Sequence, residues 1–196
     1  NLGYDLQLMS KGRFTLGLGS QIKPHIEKRF SMPWSSPAKR MGEMVAAIKA
    51  IWNAWQFKEP LNFRGEFYSH TLMTPFFNPG ENPFGIPKIL MAAVGPMMLK
   101  AAAENADGII VHPFHSAKSF HELTLPALGN PFQDKDFDIA IGLIVGLGTT
   151  QDEIDHAKLS CASQISFYGS TPAYKGMLEV HGFEDLHLEQ IGRAHV

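Results

Sequence analysis

Lys88-Ile-Leu-Met-Ala-Ala-Val-Gly-Pro-Met-Met-Leu-Lys-Ala-Ala-Ala-Glu-Asn-Ala-Asp-Gly-Ile-Ile-Val111 decides the reading of the fold. Its first seven residues form an apolar run short enough for a buried strand, and Gly95-Pro96 breaks it. Met97 to Asn105 fit a short helix, and Gly108 to Val111 make a second apolar run. Strands apolar throughout are buried on both faces, the condition of a parallel sheet with helices outside it.

Working outward, the strand-helix unit recurs on both sides. Upstream, Phe14 to Gly19 reads as a short buried strand. A helix follows, with Ser36 as N-cap, Pro37 at its first position, and Met41, Met44, Val45, Ile48, Ile51 and Trp52 on one stripe. Still further upstream, Leu2, Leu6 and Met9 sit at helical spacing before Gly12, which is placed for a left-handed C-cap. Downstream, a helix is expected over Ala117 to Leu128, and Phe137 to Val145 is the longest strand candidate. Thr150 and Glu153 make a capping box for a helix that buries Ile154, Ala157, Cys161 and Ile165. Residues 57–86 interrupt this rhythm. Rich in Phe, Pro, Asn and Gly, with a possible hairpin at Leu61 to Tyr68, they read as an ordered excursion whose aromatic rings avoid water. The class is α/β. Right-handed crossovers allow an open doubly wound sheet or a barrel, and periodicity does not choose between them.

Composition narrows the function classes. With 196 residues, 44% hydrophobic and 18% charged, the chain is ordinary for a globular protein of one domain. A net charge of −2 speaks against a broad nucleic-acid footprint. The lone Cys161 excludes an internal disulfide framework and fits a reducing cytoplasm. There is no apolar run of about 18 residues, so no membrane association is expected. The nine histidines show no helical ligand spacing beside a carboxylate, so no metal site is expected, and no Gly-x-Ser-x-Gly elbow is present.

Four places could carry chemistry. Gly17 to Gln21 ends the first strand with glycines that let a flat ligand approach, while Ser20 and Gln21 offer hydrogen bonds; the plain alternative is a tight turn. A dinucleotide fingerprint would need glycine where Ile22 stands. Ala93, Val94, Gly95 and Pro96 lead from a strand into a helix, where backbone N–H groups can hold a phosphate or polarise a ring carbonyl, or simply punctuate the chain. His112 sits just past a buried strand, a functional position in barrels and equally a place for a hydrogen-bonded structural histidine; Asp107 reads as a turn former. The Gln21–Trp34 stretch contains His25 and Glu27, which could move protons or orient a substrate. Lys28 and Arg29 read as exposed charges, with Phe30 and Trp34 pinning the loop.

Together these pieces resemble the luciferase-like superfamily of flavin and coenzyme F420 oxidoreductases. The resemblance rests on Ser10 to Gly19, the Arg40-Met-x-Glu43 helix ending in Ile51-Trp52, Phe63-Arg-Gly-Glu-Phe-Tyr68, Pro87 to Pro96 and Ala102 to Gly108, in order along the chain. Gln21-Ile-Lys-Pro-His25 and Phe167 to Tyr174 are similar to one actinobacterial-type subgroup of F420-dependent oxidoreductases. The resemblance implies a (β/α)₈ TIM barrel, here a partial barrel covering about strands 4 to 7, with an insertion after the fourth strand-helix unit. Residues 1–190 would be the C-terminal portion of one barrel domain lacking strands 1–3 and 8, inactive by itself, and 191–196 a non-native tail. It also implies hydride transfer between F420 and a small organic substrate, with FMN monooxygenation as the alternative and a non-catalytic flavin-binding protein as the alternative of another class. A homodimer of the full-length protein belongs to the same expectation.

By resemblance, Gly19, Ser20 and Gln21 border the deazaflavin ring. Ala93, Val94, Gly95 and Pro96, with His112 and Pro113, line the ribityl-phosphate path, and His25 and His112 are the candidate proton donors. Two positions depart from a sugar-phosphate dehydrogenase branch. Ile22 and Lys23 stand where that branch has an acidic residue, and His115 stands where it has a lysine.

Overall fold

The computed structural model describes residues 1–129, 131 and 136–186. The expected tail at 191–196 lies outside the described residues. The elements in chain order are α1 (Leu2–Met9), β1 (Thr15–Leu18), α2 (Pro37–Phe57), β2 (Phe63–Arg64), β3 (Ser69–His70), β4 (Lys88–Ala92), α3 (Pro96–Asn105) and β5 (Gly108–Val111). They continue with α4 (Ala117–Ser119), α5 (Leu125–Leu128), β6 (Asp138–Ile141), α6 (Gln151–Gly169) and α7 (Lys175–Glu179). The main sheet has the order β1-β4-β5-β6, and β2-β3 form a separate hairpin. β1 runs parallel to β4 with Leu18 opposite Met91, and β4 parallel to β5 with Ala92 opposite Ile110. The C-terminal ends of these strands therefore lie side by side. The strand-helix-strand order read over residues 88–111 forms, with β4 ending at Ala92, two residues short of the expected Val94.

Contacts divide the chain into two compact units, one of Asn1–Ile110 with Leu128–Ala140 and one of Val111–Ala127 with Ile141–Val196. In the first, the core is built on β4 and β5: Ile89, Met91 and Ile109 are completely buried, and Val45, Trp52 and Trp55 of α2 and Leu99 of α3 join them. Asp107 does more than make a turn. One carboxylate oxygen accepts the Lys49 ammonium at 2.6 Å and the other the Ile89 N–H at 2.8 Å, tying α2 and the start of β4 to the start of β5. Lys88 lies between Asp136 and Asp138 at 2.9 and 3.0 Å, and these two bonds push its ammonium up to about 12.

The excursion at 57–86 is fastened by buried polar groups. The Tyr4 hydroxyl donates to Gln56 Oε1 at 2.7 Å and accepts the Asn82 N–H at 3.0 Å. Gln7 Nε2 donates to the Phe84 carbonyl at 3.2 Å.

Several expectations need correction. β1 is not a buried strand: it lies at the edge of the described sheet, and its residues alternate between exposed and half-buried. The strand expected over Phe137 to Val145 stops at Ile141, and Leu143 and Val145 are exposed, because apolar composition cannot bury a segment that no neighbour covers. The same cause leaves Ile154 and Ile165 of α6 exposed, although its Thr150–Glu153 capping box forms as the spacing predicts. In α1 the buried side chains are Tyr4 and Gln7, not Leu2 and Met9, while Gly12 does take a left-handed φ of 82°.

Ser36 stands at the N-cap of α2 but makes no side-chain cap bond. Its backbone is left-handed, with a φ of 40°, where the residue before a proline is ordinarily extended. The helix expected over Ala117 to Leu128 contains a π-helical turn, Phe120–Thr124, just before Pro126, which has no N–H to continue an α-helical ladder. The excursion also leaves Phe76, Phe77 and Leu72 exposed, while Leu61 is buried and Phe63, Phe67 and Tyr68 are half-buried.

The second unit packs around an aromatic cluster. The His112 ring stacks on Tyr174 at 4.5 Å and meets Tyr168 edge-on at 4.6 Å, with Phe114 beside both tyrosines. A Cβ at Gly146 would stand 3.0 Å from Ala157 and from Cys161 Sγ, so the glycine lets the segment after β6 lie close against α6.

Candidate functional site

In the first unit, a cavity of about 310 Å³ opens at the C-terminal end of β1. Leu18, Gly19 and Ser20 supply the strand end. Ile26, Met32, Pro33, Trp34 and Ser35 come from the β1–α2 connection, Pro37, Arg40, Met41 and Met44 from α2, and Tyr68 from the hairpin. The wall is mostly apolar, with one permanent cation, Arg40. Active sites of (β/α)₈ folds lie at this end of the strands.

Each wall element is held by local chemistry. The β1–α2 connection turns at non-glycine residues with left-handed backbone, Gln21 (φ 60°) and Ser31 (φ 54°), and carries a π-helical turn, His25–Arg29. This turn brings Ile26 into the wall. The hairpin is held by Glu43: one carboxylate oxygen accepts the N–H groups of Phe67 and Tyr68, both at 2.7 Å, and the other accepts Glu66 N–H at 3.0 Å. Three successive N–H groups around one carboxylate form an anion nest. Although partial desolvation works the other way, these bonds and Lys39 hold the Glu43 carboxyl below its ordinary range. Gly65 makes the nest possible, since a Cβ there would overlap the Glu43 carboxylate.

Gly19 and Ser20 line this cavity. Gln21 and His25 stand beside it: the His25 ring, exposed, lies with Nδ1 at 2.9 Å from Gln21 Oε1. Ala93, Val94, Gly95 and Pro96 follow β4, the strand paired with β1, and a Cβ at Gly19 would stand 3.3 Å from the Ala92 Cβ. Open space surrounds Gly95, where a Cβ would meet nothing within 4 Å. Pro96 begins α3, so Met97 in its first turn has an N–H without an intrahelical partner.

His112 and Pro113 belong to the second unit. His112 Nδ1 accepts the Phe114 N–H at 3.1 Å, so the neutral ring carries its proton on Nε2. Burial, and after it the nearby His115, hold His112 below its ordinary value.

The structure adds residues that the sequence does not single out as a site. Arg40, Glu43 and Tyr68 appear there only as matched motif positions. The available signal was the Arg40–Glu43 spacing, which puts both on neighbouring turns of one helix face. Among the described residues, no group of three or more His, Cys, Asp or Glu could hold a metal ion, and no helix is long and apolar enough to cross a membrane.

Comparison with known proteins adds the lineage. The family model described as luciferase-like monooxygenase matches residues 4–195. An uncharacterised protein of Mycobacterium tuberculosis is 49% identical over 194 residues, covering 96% of this chain and 57% of that protein. A 5,10-methylenetetrahydromethanopterin reductase of Archaeoglobus fulgidus is 33% identical over 107 residues, 55% of this chain and 29% of that protein. The solved structure of the coenzyme F420-dependent tetrahydromethanopterin reductase from Methanopyrus kandleri superposes with a TM-score of 0.69 at 19% identity, covering 98% of this chain and 57% of that one. The parallel α/β fold thus matches part of a TIM-barrel neighbour. The chain spans about 57% of the length of its mycobacterial relatives.

Proposed function

Because the chain belongs to the luciferase-like monooxygenase family, we propose that it is the site-bearing part of an oxidoreductase that transfers a hydride between coenzyme F420 and a small organic substrate. The observation that carries this reading is the cavity at the C-terminal end of β1, beside the open backbone that follows β4. The coenzyme F420-dependent Methanopyrus reductase favours F420 as the cofactor.

The residues present fit a flat, anionic cofactor. Gly19 keeps the end of β1 low, Gly95 leaves open space, and the first turn of α3 presents a free N–H. In this reading Gly19, Ser20 and Gln21 border the ring, and Ala93 to Pro96 hold its side chain. His112 and Pro113 enter on the resemblance alone. Bound F420 supplies the hydride chemistry, and the protein's part is to orient the reactants and exclude water.

The apolar walls from Ile26, Met32, Trp34, Met41 and Met44 perform that exclusion. Of the two candidate proton donors, His25 is turned by its contact with Gln21 and exposed to solvent. His112 is set up as a neutral Nε2–H donor, able to polarise an oxygen without carrying a full charge. Parallel titrations of the full-length protein with F420 and FMN test the reading. Tighter F420 binding, with F420 oxidation or reduction in the presence of carbonyl substrates, is the expected result. A clear FMN preference coupled to oxygen consumption overturns it.

A further inference from the structure

The geometry points to Arg40 as a receptor for an anionic oxygen group, so that the cavity takes a ligand with an apolar body and a carboxylate or comparable oxyanion. This rests on the reading of the cavity as the substrate pocket. Arg40 lines the wall from the first turn of α2 and is half-buried. Its guanidinium lies 4.4 Å over the Phe67 ring, and Nη2 donates to Ser35 Oγ at 2.9 Å. A guanidinium has five N–H donors, so the Ser35 bond leaves most of them unassigned.

The carboxylates that would ordinarily neutralise it are engaged elsewhere. Both oxygens of Glu43, three residues along the same helix, accept the backbone N–H groups of Glu66, Phe67 and Tyr68. The Glu66 carboxylate pairs with Lys39. Among the described residues, no carboxylate forms an ion pair with Arg40.

The same arrangement fixes where the guanidinium sits. Glu43 holds the hairpin, the hairpin holds Phe67, and the Phe67 ring lies against the guanidinium. A planar cation fixed by stacking loses little freedom when it forms a paired bond to a carboxylate. The apolar wall beside it gives the ligand's stem a surface to cover, while the guanidinium stays at the half-open rim. Cations facing water on surface helices are common, but this one faces a cavity lined by Met41, Met44, Ile26 and Trp34. An oxygen anion on an apolar stem satisfies both parts of the wall.

The test uses the full-length protein and two probes of equal apolar length, octanoate and octanamide. The readout is the part of the tryptophan fluorescence change that Trp34→Phe removes, since Trp34 lines the cavity. Octanoate is expected to bind at least tenfold more tightly than octanamide. Arg40→Gln should abolish that preference while leaving octanamide affinity within twofold, and Arg40→Lys should restore part of it. Displacement of octanoate by F420, with Arg40→Gln weakening F420 at least tenfold, would assign the anionic group to the cofactor rather than the substrate.

Equal affinity for the two probes in the wild type, or a preference that survives Arg40→Gln, overturns the proposal. Loss of both probes in a variant with unchanged circular dichroism and melting temperature overturns it too, because the arginine would then be shaping the wall. None of these results depends on redox turnover. A protein that binds octanoate through Arg40 but ignores F420 would overturn the proposed reaction and leave the anion receptor standing.

Discussion

Replacing Asp107 separates two interactions that meet on one carboxylate. Asp107→Asn removes the charge facing Lys49 but keeps an oxygen for the Ile89 N–H. Asp107→Ala removes both. The ion pair is partly screened, with side chains 27% and 28% exposed, so its loss should cost about 1 kcal/mol. The Ile89 N–H is different, because Ile89 is completely buried and Asp107→Ala leaves that N–H without its carboxylate acceptor. Orphaning it adds about 1–3 kcal/mol, for a total of roughly 2–4 kcal/mol.

For a chain of this size each kcal/mol lowers the melting temperature by about 2–4 °C, so Asp107→Asn should lose roughly 2–4 °C and Asp107→Ala roughly 4–16 °C. Thermal melts of the two variants, with Lys49→Met as the third corner of a double-mutant cycle, make the measurement. Lys49→Met should match Asp107→Asn and add nothing to it. Equal melting temperatures for Asp107→Asn and Asp107→Ala would refute the reasoning, since the buried N–H would then contribute nothing. The pair matters for function because β4, which Asp107 holds at its start, leads into the Ala93–Pro96 segment.

Three further outcomes follow from particular residues. A Cβ at Gly108 would overlap the Asp138 carbonyl oxygen and stand 2.9 Å from its Cβ, so Gly108→Ala should lower stability by about 3 kcal/mol in urea melts, whereas Gly95→Ala, facing open space, should leave the protein within about 0.5 kcal/mol of wild type. Folding holds His112 below its ordinary value of 6.5, so any stability it contributes is present above 6.5 and lost as the pH falls below that value. Nitrogen NMR should find a neutral ring with its proton on Nε2 at pH 7, and a ring protonated on both nitrogens at pH 7 would contradict the structure. The Thr149 hydroxyl and the Thr149 and Thr150 N–H groups pull Glu153 down to about 2 from 4.5. Its contribution at the start of α6 is therefore complete above 4.5 and fades as the pH drops toward 2, and Glu153→Gln should flatten the acid limb of a circular dichroism titration in that window.

The sequence by itself determined the elements that depend on near neighbours. The apolar runs at 88–94 and 108–111, the break at Gly95-Pro96, the stripe along α2 and the Thr150–Glu153 capping box are all patterns within a turn or a strand, and each formed where its spacing requires. Together with the resemblance, they identified the lineage. What only the tertiary structure decided is which surfaces are covered and which distant groups meet. Burial depends on neighbours, so the apolar residues of β1, β6 and α6 could not be read as exposed from composition.

The candidate site shows the same division. The place of Gly19 and Ser20 at the end of β1 was legible because a glycine turn at a strand end is local. Arg40 and Tyr68, 28 residues apart in sequence, share a wall only because Glu43 gathers the hairpin's N–H groups through Gly65. No periodicity encodes a carboxylate bonded to backbone groups more than twenty positions away, and that contact leaves Arg40 at the cavity with no carboxylate partner among the described residues.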